Sequence, residues 1–316
     1  MTRPRTDSHA DFENRDGWIW LDGALVPWRD ARIHLLSHSL HYAAAAFEGQ
    51  RAYRGEIFRL TEHSMRLRRS AELLGYSIPW PVDEIDRACR ETLAANGLTD
   101  AYLRPIAWRG AEQMGVAAPD ARIHLAISAW EWRSYFDEDA IREGVRLDIS
   151  TWRRPAPYTA PTAAKASGLY MICTMAADAA RAKGYDDALM LDWRGQVAEA
   201  TGANIFFVRD GTLHTPIPDC FLDGITRRTV IDLARRRGLE VFERAIWPEE
   251  LESFEQCFLT GSAVELMPVT KAGPWRFETG ALSLQLRRDY LDLVHRRDTP
   301  AATRLSASAP LLEVVQ

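Results

Sequence analysis

An α+β fold in two domains is what this sequence predicts, on three observations. Short strand-like and helix-like runs interleave along the chain without the strict βαβ alternation of a doubly wound sheet, and no internal repeat is visible. A polar stretch near the middle, SYFDEDAIREG, bears no strand pattern and separates two sets of elements. At 316 residues the chain is long enough for one large or two medium domains with real cores. The expected division is a flexible leader over 1–16, a small N-terminal domain over 17–135, a linker over 136–143, a larger domain over 144–298 and a flexible tail over 299–316.

The elements follow in order. WIWLDG and LVPW read as an opening hairpin, and FEGQRAYRGEIFRL as two short strands joined at Arg54-Gly55. A helix runs from Thr61, its expected N-cap, to Leu74 on the pattern Met65, Leu67, Ala71, Leu74. Pro81 and Asp83 open a second helix that reaches about Asn96, with Gly97 as its stop. AYLRPIAW (101–108) and RIHLAISAWEW (122–132) are β-rich. After the linker, VRLDIS alternates as a half-buried strand should, whereas TWRRPAPYTAPTAAKASG, rich in Pro, Ala and Thr, reads as an ordered loop. A helix over Leu169–Lys183 precedes three or four strands with turns at Arg194-Gly195 and Asp210-Gly211. GITRRTVIDLARRRG is an amphipathic helix from Ile225 that ends at Gly238; QCFLTG and ELMPV are strands; Leu282–Arg296 is the last helix.

Composition excludes several function classes. A net charge of −5 gives no bulk attraction to nucleic acid or anionic membrane. No apolar run reaches the roughly 18 residues of a membrane span, and the first 16 residues lack the apolar stretch of a signal peptide. Cys89, Cys173, Cys220 and Cys257 lie far apart with no metal-ligand spacing, as in a reduced cytoplasmic protein. More pointed is the lysine count. Of 39 basic residues, only Lys165, Lys183 and Lys271 are lysine. Lys183 sits at a helix C-terminus and Lys271 reads as a turn residue. Lys165 lies among small uncharged residues in PTAAKASG, where a partly desolvated amine can form an imine and arginine cannot. A lysine snorkelling from a semi-buried segment is the plain alternative.

Neither GxGxxG nor GxxxxGK[ST] is present, so dinucleotide and P-loop readings lack their fingerprints. FLDGIT nevertheless puts Gly224, Ile225 and Thr226 at a helix start, where free amides and a hydroxyl suit a phosphate monoester, unless Thr226 is merely a cap. TGSA (260–263) is a second turn with exposed amides. Glu199 lies in the otherwise uncharged VAEATGANIFF and, if buried, needs a partner such as a pyridinium nitrogen; a strand-end glutamate facing water is the alternative. Tyr170 follows Lys165 by five residues and could reach the same ligand or simply fill a core. Arg66 stands beside Arg68 and Arg69, a pattern normally explained by a solvated basic face. His34, His38 and His41 cluster, but no carboxylate or cysteine nearby completes a metal site. A lysine, a carboxylate, an anion cradle and a hydroxyl together specify one chemistry, that of pyridoxal 5′-phosphate (PLP).

HSLHYAAAAFEGQRAY, EHSMRLRRSA, AYLRPIAW, PTAAKASGLY, EATGANIFFV, FLDGITR and LTGSAVELMPV occur in an order that resembles the branched-chain amino-acid aminotransferases of the fold-type IV (class IV) group, from about Trp18 to about Arg296. The resemblance implies a D-amino-acid-aminotransferase-like fold, with a small N-terminal α/β domain and a larger PLP-binding domain. It implies Lys165 as the Schiff-base lysine and proton shuttle, Glu199 at the pyridine nitrogen and Tyr170 at the phenolic oxygen. Arg66, Ile225, Thr226 and Ser262 fall at phosphate positions, with Gly202, Leu222 and Gly261 also in the cofactor site. Ser262 and Ala263 amides with Tyr102 match an α-carboxylate site, and Arg104 with Tyr42 and Tyr135 a glutamate-carboxylate site. Phe47, Gly49 and Trp132 fit an apolar side-chain pocket. Tyr42 and the loop holding Met114, Gly115 and Val116 would reach a partner subunit's site, so a homodimer or higher homo-oligomer is implied. The implied partners are amino acids and 2-oxo acids, not nucleic acid or membrane. The implied reaction moves the amino group of L-Leu, L-Ile or L-Val to 2-oxoglutarate in ping-pong fashion. Serine at 262, where the family more often has threonine, and alanines at 43–46, where it often has small polar residues or glycine, are departures. They leave open a shifted substrate: a D-amino acid, an (R)-amine, or lyase chemistry on 4-amino-4-deoxychorismate.

Overall fold

Two sheets, each with its own apolar core, make up the computed structural model, which describes residues 11–132 and 138–296. The fold is α+β. The hairpin β1 (Trp18–Leu21) and β2 (Ala24–Pro27) forms as expected. Helix α1 (His38–Tyr42) and strand β3 (Ala46–Phe47) come next, both too short for a periodicity to announce them. Then follow β4 (Gln50–Tyr53), β5 (Glu56–Ile57), α2 (Leu60–Leu73), α3 (Val82–Ala95), β6 (Ala101–Arg109) and β7 (Ile123–Glu131). These strands form an antiparallel sheet ordered β2-β1-β7-β6-β4-β5, with β3 on β6. One face carries α2 and α3 through Leu67, Ile85, Leu103, Leu125 and Ile127, all fully buried, each such side chain stabilising the fold by roughly 1.5–3 kcal/mol before entropy is counted.

The second sheet begins after α4 (Glu138–Glu143) with β8 (Val145–Arg154). It continues with α5 (Met171–Ala182), β9 (Asp187–Asp192), β10 (Val197–Ala200), β11 (Asn204–Arg209), β12 (Thr212–Thr215), α6 (Ile225–Arg236), β13 (Val241–Glu243), β14 (Gln256–Gly261), β15 (Glu265–Ala272), β16 (Trp275–Arg276) and α7 (Ala281–Val294). Its order is β10-β9-β8-β15-β14-β11-β12-β13, with β16 on β15. Strands β8 and β9 are parallel because α5 carries the chain across between them, and α6 does the same for β12 and β13. Sheet membership changes between Glu131 and Val145.

Several expectations are corrected. Thr61 is not the N-cap of α2. That place is held by Arg59 in a left-handed conformation, and Thr61 instead donates to Asp86 on α3 at 2.6 Å, tying the two helices together. The polar stretch taken as linker contains α4, whose Ile141 is buried in the second core. TWRR belongs to β8 rather than to the loop. Lys271 lies in β15, not in a turn, and donates to the Tyr185 hydroxyl. Asp11–Asp16 of the leader are held: the Phe12 ring packs edge-on to Trp130, and the Trp28 indole donates to the Phe12 carbonyl. Residues 1–10 of the leader, and the whole 299–316 tail, lie outside the described residues.

What matters for the site is the loop between β8 and α5. Its backbone joins the first sheet by a bridge between Ala46 and Ala166, with Phe47 N–H donating to the Lys165 carbonyl at 3.1 Å. The Lys165 amide in turn donates to Ser70 Oγ of α2 at 2.9 Å. Lys165 is thereby fixed at the seam of the two sheets.

Candidate active site

A cleft open to solvent lies at that seam. From the first sheet and the helix α2 packed on it the cleft receives Gly49, Tyr102 and Arg66. From the second it receives Arg154, Lys165, Tyr170, Glu199 and the turns at 201–204, 222–226 and 260–263. Of the expected residues, Gly202, Leu222, Ile225, Thr226, Gly261, Ser262 and Ala263 all line it.

The centre is a short bond. Lys165 Nζ donates to the Tyr170 hydroxyl at 2.6 Å, and the ammonium lies 4.8 Å from the Phe47 ring centre. Tyr170 is placed by a 3-10 turn, Ser167–Tyr170, that leads into α5. The other two lysines do not line the cleft: Lys183 is exposed and paired to Asp148, and Lys271 donates to the Tyr185 hydroxyl elsewhere.

Glu199 projects from β10 and is buried, not a strand-end group facing water. Arg154 of β8, itself buried, stands 3.4 Å from one carboxylate oxygen, and the Asn204 amide donates to the other at 3.1 Å. Burial pushes the Glu199 carboxyl up to about 7 against the pull of Arg154 and Lys165. A full counter-charge is therefore still wanted there.

At another part of the cleft α6 begins. Its N-cap, Gly224, offers no side chain, and none caps the first turn. A Cβ at Gly224 would meet Asn204 Oδ1 at 2.2 Å, so only glycine lets the helix start approach this closely. Free amides at a helix start hold partial positive charge and suit a phosphate group. The buried Thr260 hydroxyl, on the neighbouring strand end, lacks a hydrogen-bond partner. Arg66 is not part of a solvated face. It turns inward, and its Nε and Nη2 donate to the two oxygens of the fully buried Glu48 at 2.6 and 2.8 Å. Burial alone would raise the Glu48 carboxyl, but Arg66 and His63 outweigh it and hold that group far below the carboxylate range.

Tyr102 closes one side. Its hydroxyl accepts from Arg104 at 3.1 Å, its ring packs on Trp132, and a Cβ at Gly49 would collide with that hydroxyl. Phe47 and Arg104 stack behind it, 4.8 Å apart, without lining the cleft. Tyr42, Met114 and Val116 lie on the surface, away from it. Tyr135 lies outside the described residues. Each histidine of the trio spends one ring nitrogen on backbone: His38 on the Gly115 carbonyl, His41 on the Leu35 carbonyl, His34 on the Leu36 amide. Among the described residues, Asp192, Asp219 and Cys220 bring metal-capable atoms together, but Arg194 already bridges both carboxylates.

Arg154, Asn204, Thr260, Glu48 and His63 were not singled out from sequence. Glu48 had a signal, as a lone carboxylate in AAAAFEGQ, the same feature that drew attention to Glu199. Arg154 had none, being one of two adjacent arginines before a proline.

The amino-transferase class IV family model matches residues 45–272. A probable branched-chain-amino-acid aminotransferase of Rickettsia felis is 44% identical over 79% of this chain and 85% of its own. The branched-chain-amino-acid aminotransferase of Pseudomonas aeruginosa is 40% identical over 89% of this chain and 94% of its own. Among solved structures, the branched-chain aminotransferase of the archaeon Thermoproteus uzoniensis with norvaline superposes with a TM-score of 0.85, at 37% identity, over 90% of this chain and 96% of that one. A T.th. branched-chain amino acid aminotransferase with pyridoxamine 5′-phosphate superposes with a TM-score of 0.87, at 39% identity, over 91% of this chain and 97% of that one.

Proposed function

The chain belongs to the class IV aminotransferase family, and from that premise we propose that it is a PLP-dependent branched-chain-amino-acid aminotransferase. It takes the amino group of L-leucine, L-isoleucine or L-valine and passes it to 2-oxoglutarate in two half-reactions. The observation that carries the reading is the convergence of Lys165, Tyr170 and an under-paired Glu199 on a cleft that also contains an uncapped helix start.

The residues fit the cofactor. Glu199 wants a cation, which a protonated ring nitrogen is; Thr260 and the α6 amides have donors to spend, which a phosphate takes. Bound there, the cofactor supplies an electron-withdrawing ring that accepts charge from a substrate's Cα. Lys165 would hold it covalently, and its free amine would carry the proton between Cα and C4′. Tyr170 holds the phenolic oxygen, and Glu199 keeps the ring nitrogen protonated. Arg66, Ile225, Thr226 and Ser262 hold the phosphate, with Gly202, Leu222 and Gly261 shaping its surroundings. Tyr102 and the 262–263 amides take the α-carboxylate. Gly49, with Phe47 and Trp132 behind it, accepts the aliphatic chain, and Arg104, with Tyr135 and the Tyr42 of a second copy, accepts the distal carboxylate of glutamate.

A homodimer is part of the proposal. His38 ties α1 to the 114–116 loop, and this region exposes Leu35, Leu40, Tyr42, Met114 and Val116 to solvent, apolar side chains that a second copy would cover. No helix among the described residues is long and apolar enough to cross a membrane. Four free, buried cysteines support a cytoplasmic setting.

The test is an absorbance spectrum of the purified protein before and after L-leucine. A visible band that moves to the ultraviolet and returns with 2-oxoglutarate is the expected result. A band that ignores L-leucine but responds to D-alanine or (R)-1-phenylethylamine overturns the substrate, and no band after added PLP overturns the cofactor.

A further inference from the structure

We propose that Glu48, backed by His63, is a positioning residue for the cofactor's phosphate: it fixes the Arg66 guanidinium in the one orientation that presents its remaining N–H groups to the cleft. The inference rests on the PLP reading above and extends it to two residues that touch neither cofactor nor substrate.

The geometry is closed on one side and open on the other. Glu48 sits between β3 and β4 with no exposure, and its oxygens accept from Arg66 Nε at 2.6 Å, Arg66 Nη2 at 2.8 Å and the Gly49 amide at 3.2 Å. His63 Nδ1, on the same helix as Arg66 and one turn before it, lies 2.7 Å from Oε2. Four donors thus converge on one carboxylate, three of them on Oε2. Burial keeps His63 short of its usual basicity despite the carboxylate beside it; it is therefore a neutral donor, with the proton on Nδ1. The fork-on-fork contact fixes the guanidinium plane, and Arg66 Nη1 is left free of the carboxylate on a residue that lines the cleft. Arg66 carries the only charge of the group that faces a ligand. An arginine on a 14-residue helix without this anchor would have several rotamers and a path to solvent, as Arg69 does in pairing to exposed Glu72.

The test separates phosphate from the rest of the ligand. Full-length protein freed of cofactor is titrated with PLP and with pyridoxal, which has the same ring and aldehyde but no phosphate. Glu48→Gln keeps the shape and turns one acceptor into a donor facing donors. It should weaken PLP binding about tenfold or more and leave pyridoxal binding as in the wild type. Equal weakening for both ligands would mean a merely structural role, and unchanged or tighter PLP binding would mean that Glu48 only neutralises Arg66; either overturns the proposal. If Glu48→Gln does not fold by circular dichroism, His63→Gln decides. It leaves the bidentate contact in place and should cost PLP several-fold and pyridoxal nothing, with any other pattern overturning the idea. Wild-type protein that binds no PLP would instead sink the cofactor reading itself.

Discussion

Glu48 and Glu199 flank the same cleft, and burial drives both carboxyls toward the neutral form. They end in opposite states. Glu48 has a bidentate arginine, a histidine and an amide, and stays ionised well below the ordinary range. Glu199 has one arginine at 3.4 Å and one side-chain amide, and is pushed to about 7. Burial is the largest single influence on each, and the number and closeness of donors sets them apart. The carboxylate with four donors can only hold what it already touches. The under-paired one would still gain from a further cation, which is what the proposed place of the ring nitrogen offers it.

Lys165 lies between these two regions, and its removal should have the largest effect. Lys165→Ala is expected to lower turnover by about 10³-fold or more, as loss of the covalent attachment and the proton carrier together requires. The fold should survive, because the side chain's only described hydrogen bond is to Tyr170. Single-turnover kinetics and a thermal melt check both halves, and near-normal transamination would break the assignment of the whole cleft. Glu199→Gln comes next. It should lower turnover by roughly 10²-fold and PLP affinity by less, since it weakens the ring's electron demand while the phosphate cradle stays intact. Equal losses in rate and affinity would erase the distinction drawn between the two carboxylates.

How far this contrast could be read from sequence depends on which contacts are local. Helices α2, α3, α5, α6 and α7 were legible because each is 12 or more residues long, with a periodic apolar face or capping signals. The strands β3 and β16, two residues each, exist only through their partners β6 and β15, and a pairing partner leaves no mark on so short a segment. In the site, Lys165 was legible through its rarity, and the α6 start through its glycine. Glu199 was legible as a lone charge, but its state was not: that depends on Arg154, 45 residues earlier in sequence, and on Asn204 across a turn. The local pattern around Arg66 misleads for the same reason, and only the family resemblance puts it at the site. On its helix it looks like Arg68 and Arg69, and only Glu48, brought against it by β3 and β4, turns it inward. Thr61 was misplaced because Asp86, a better partner than its own backbone, arrives from another helix.

The smallest expected effect is on stability, and it tests the contrast without catalysis. Glu199 has a folded pKa of about 7 against an ordinary 4.5, so the folded state keeps a proton that the unfolded state has lost between those values. Stability must then fall as pH rises from about 4.5 to about 7, by at most roughly 3 kcal/mol, and level off above. Glu48 has the opposite sign: its depressed folded pKa contributes stability that is present above about 4.5 and disappears only as pH falls below that. Urea melts of cofactor-free wild type and Glu199→Gln, compared at a series of pH values, isolate the first term. The variant should gain on the wild type across pH 4.5–7 and hold a constant lead beyond. With PLP bound, the ring nitrogen becomes the missing counter-charge, and the gradient between the two proteins should flatten. A difference that is constant with pH in the cofactor-free proteins would mean that Arg154 and Asn204 already satisfy Glu199, and that the cleft has no unmet charge for a cofactor to fill.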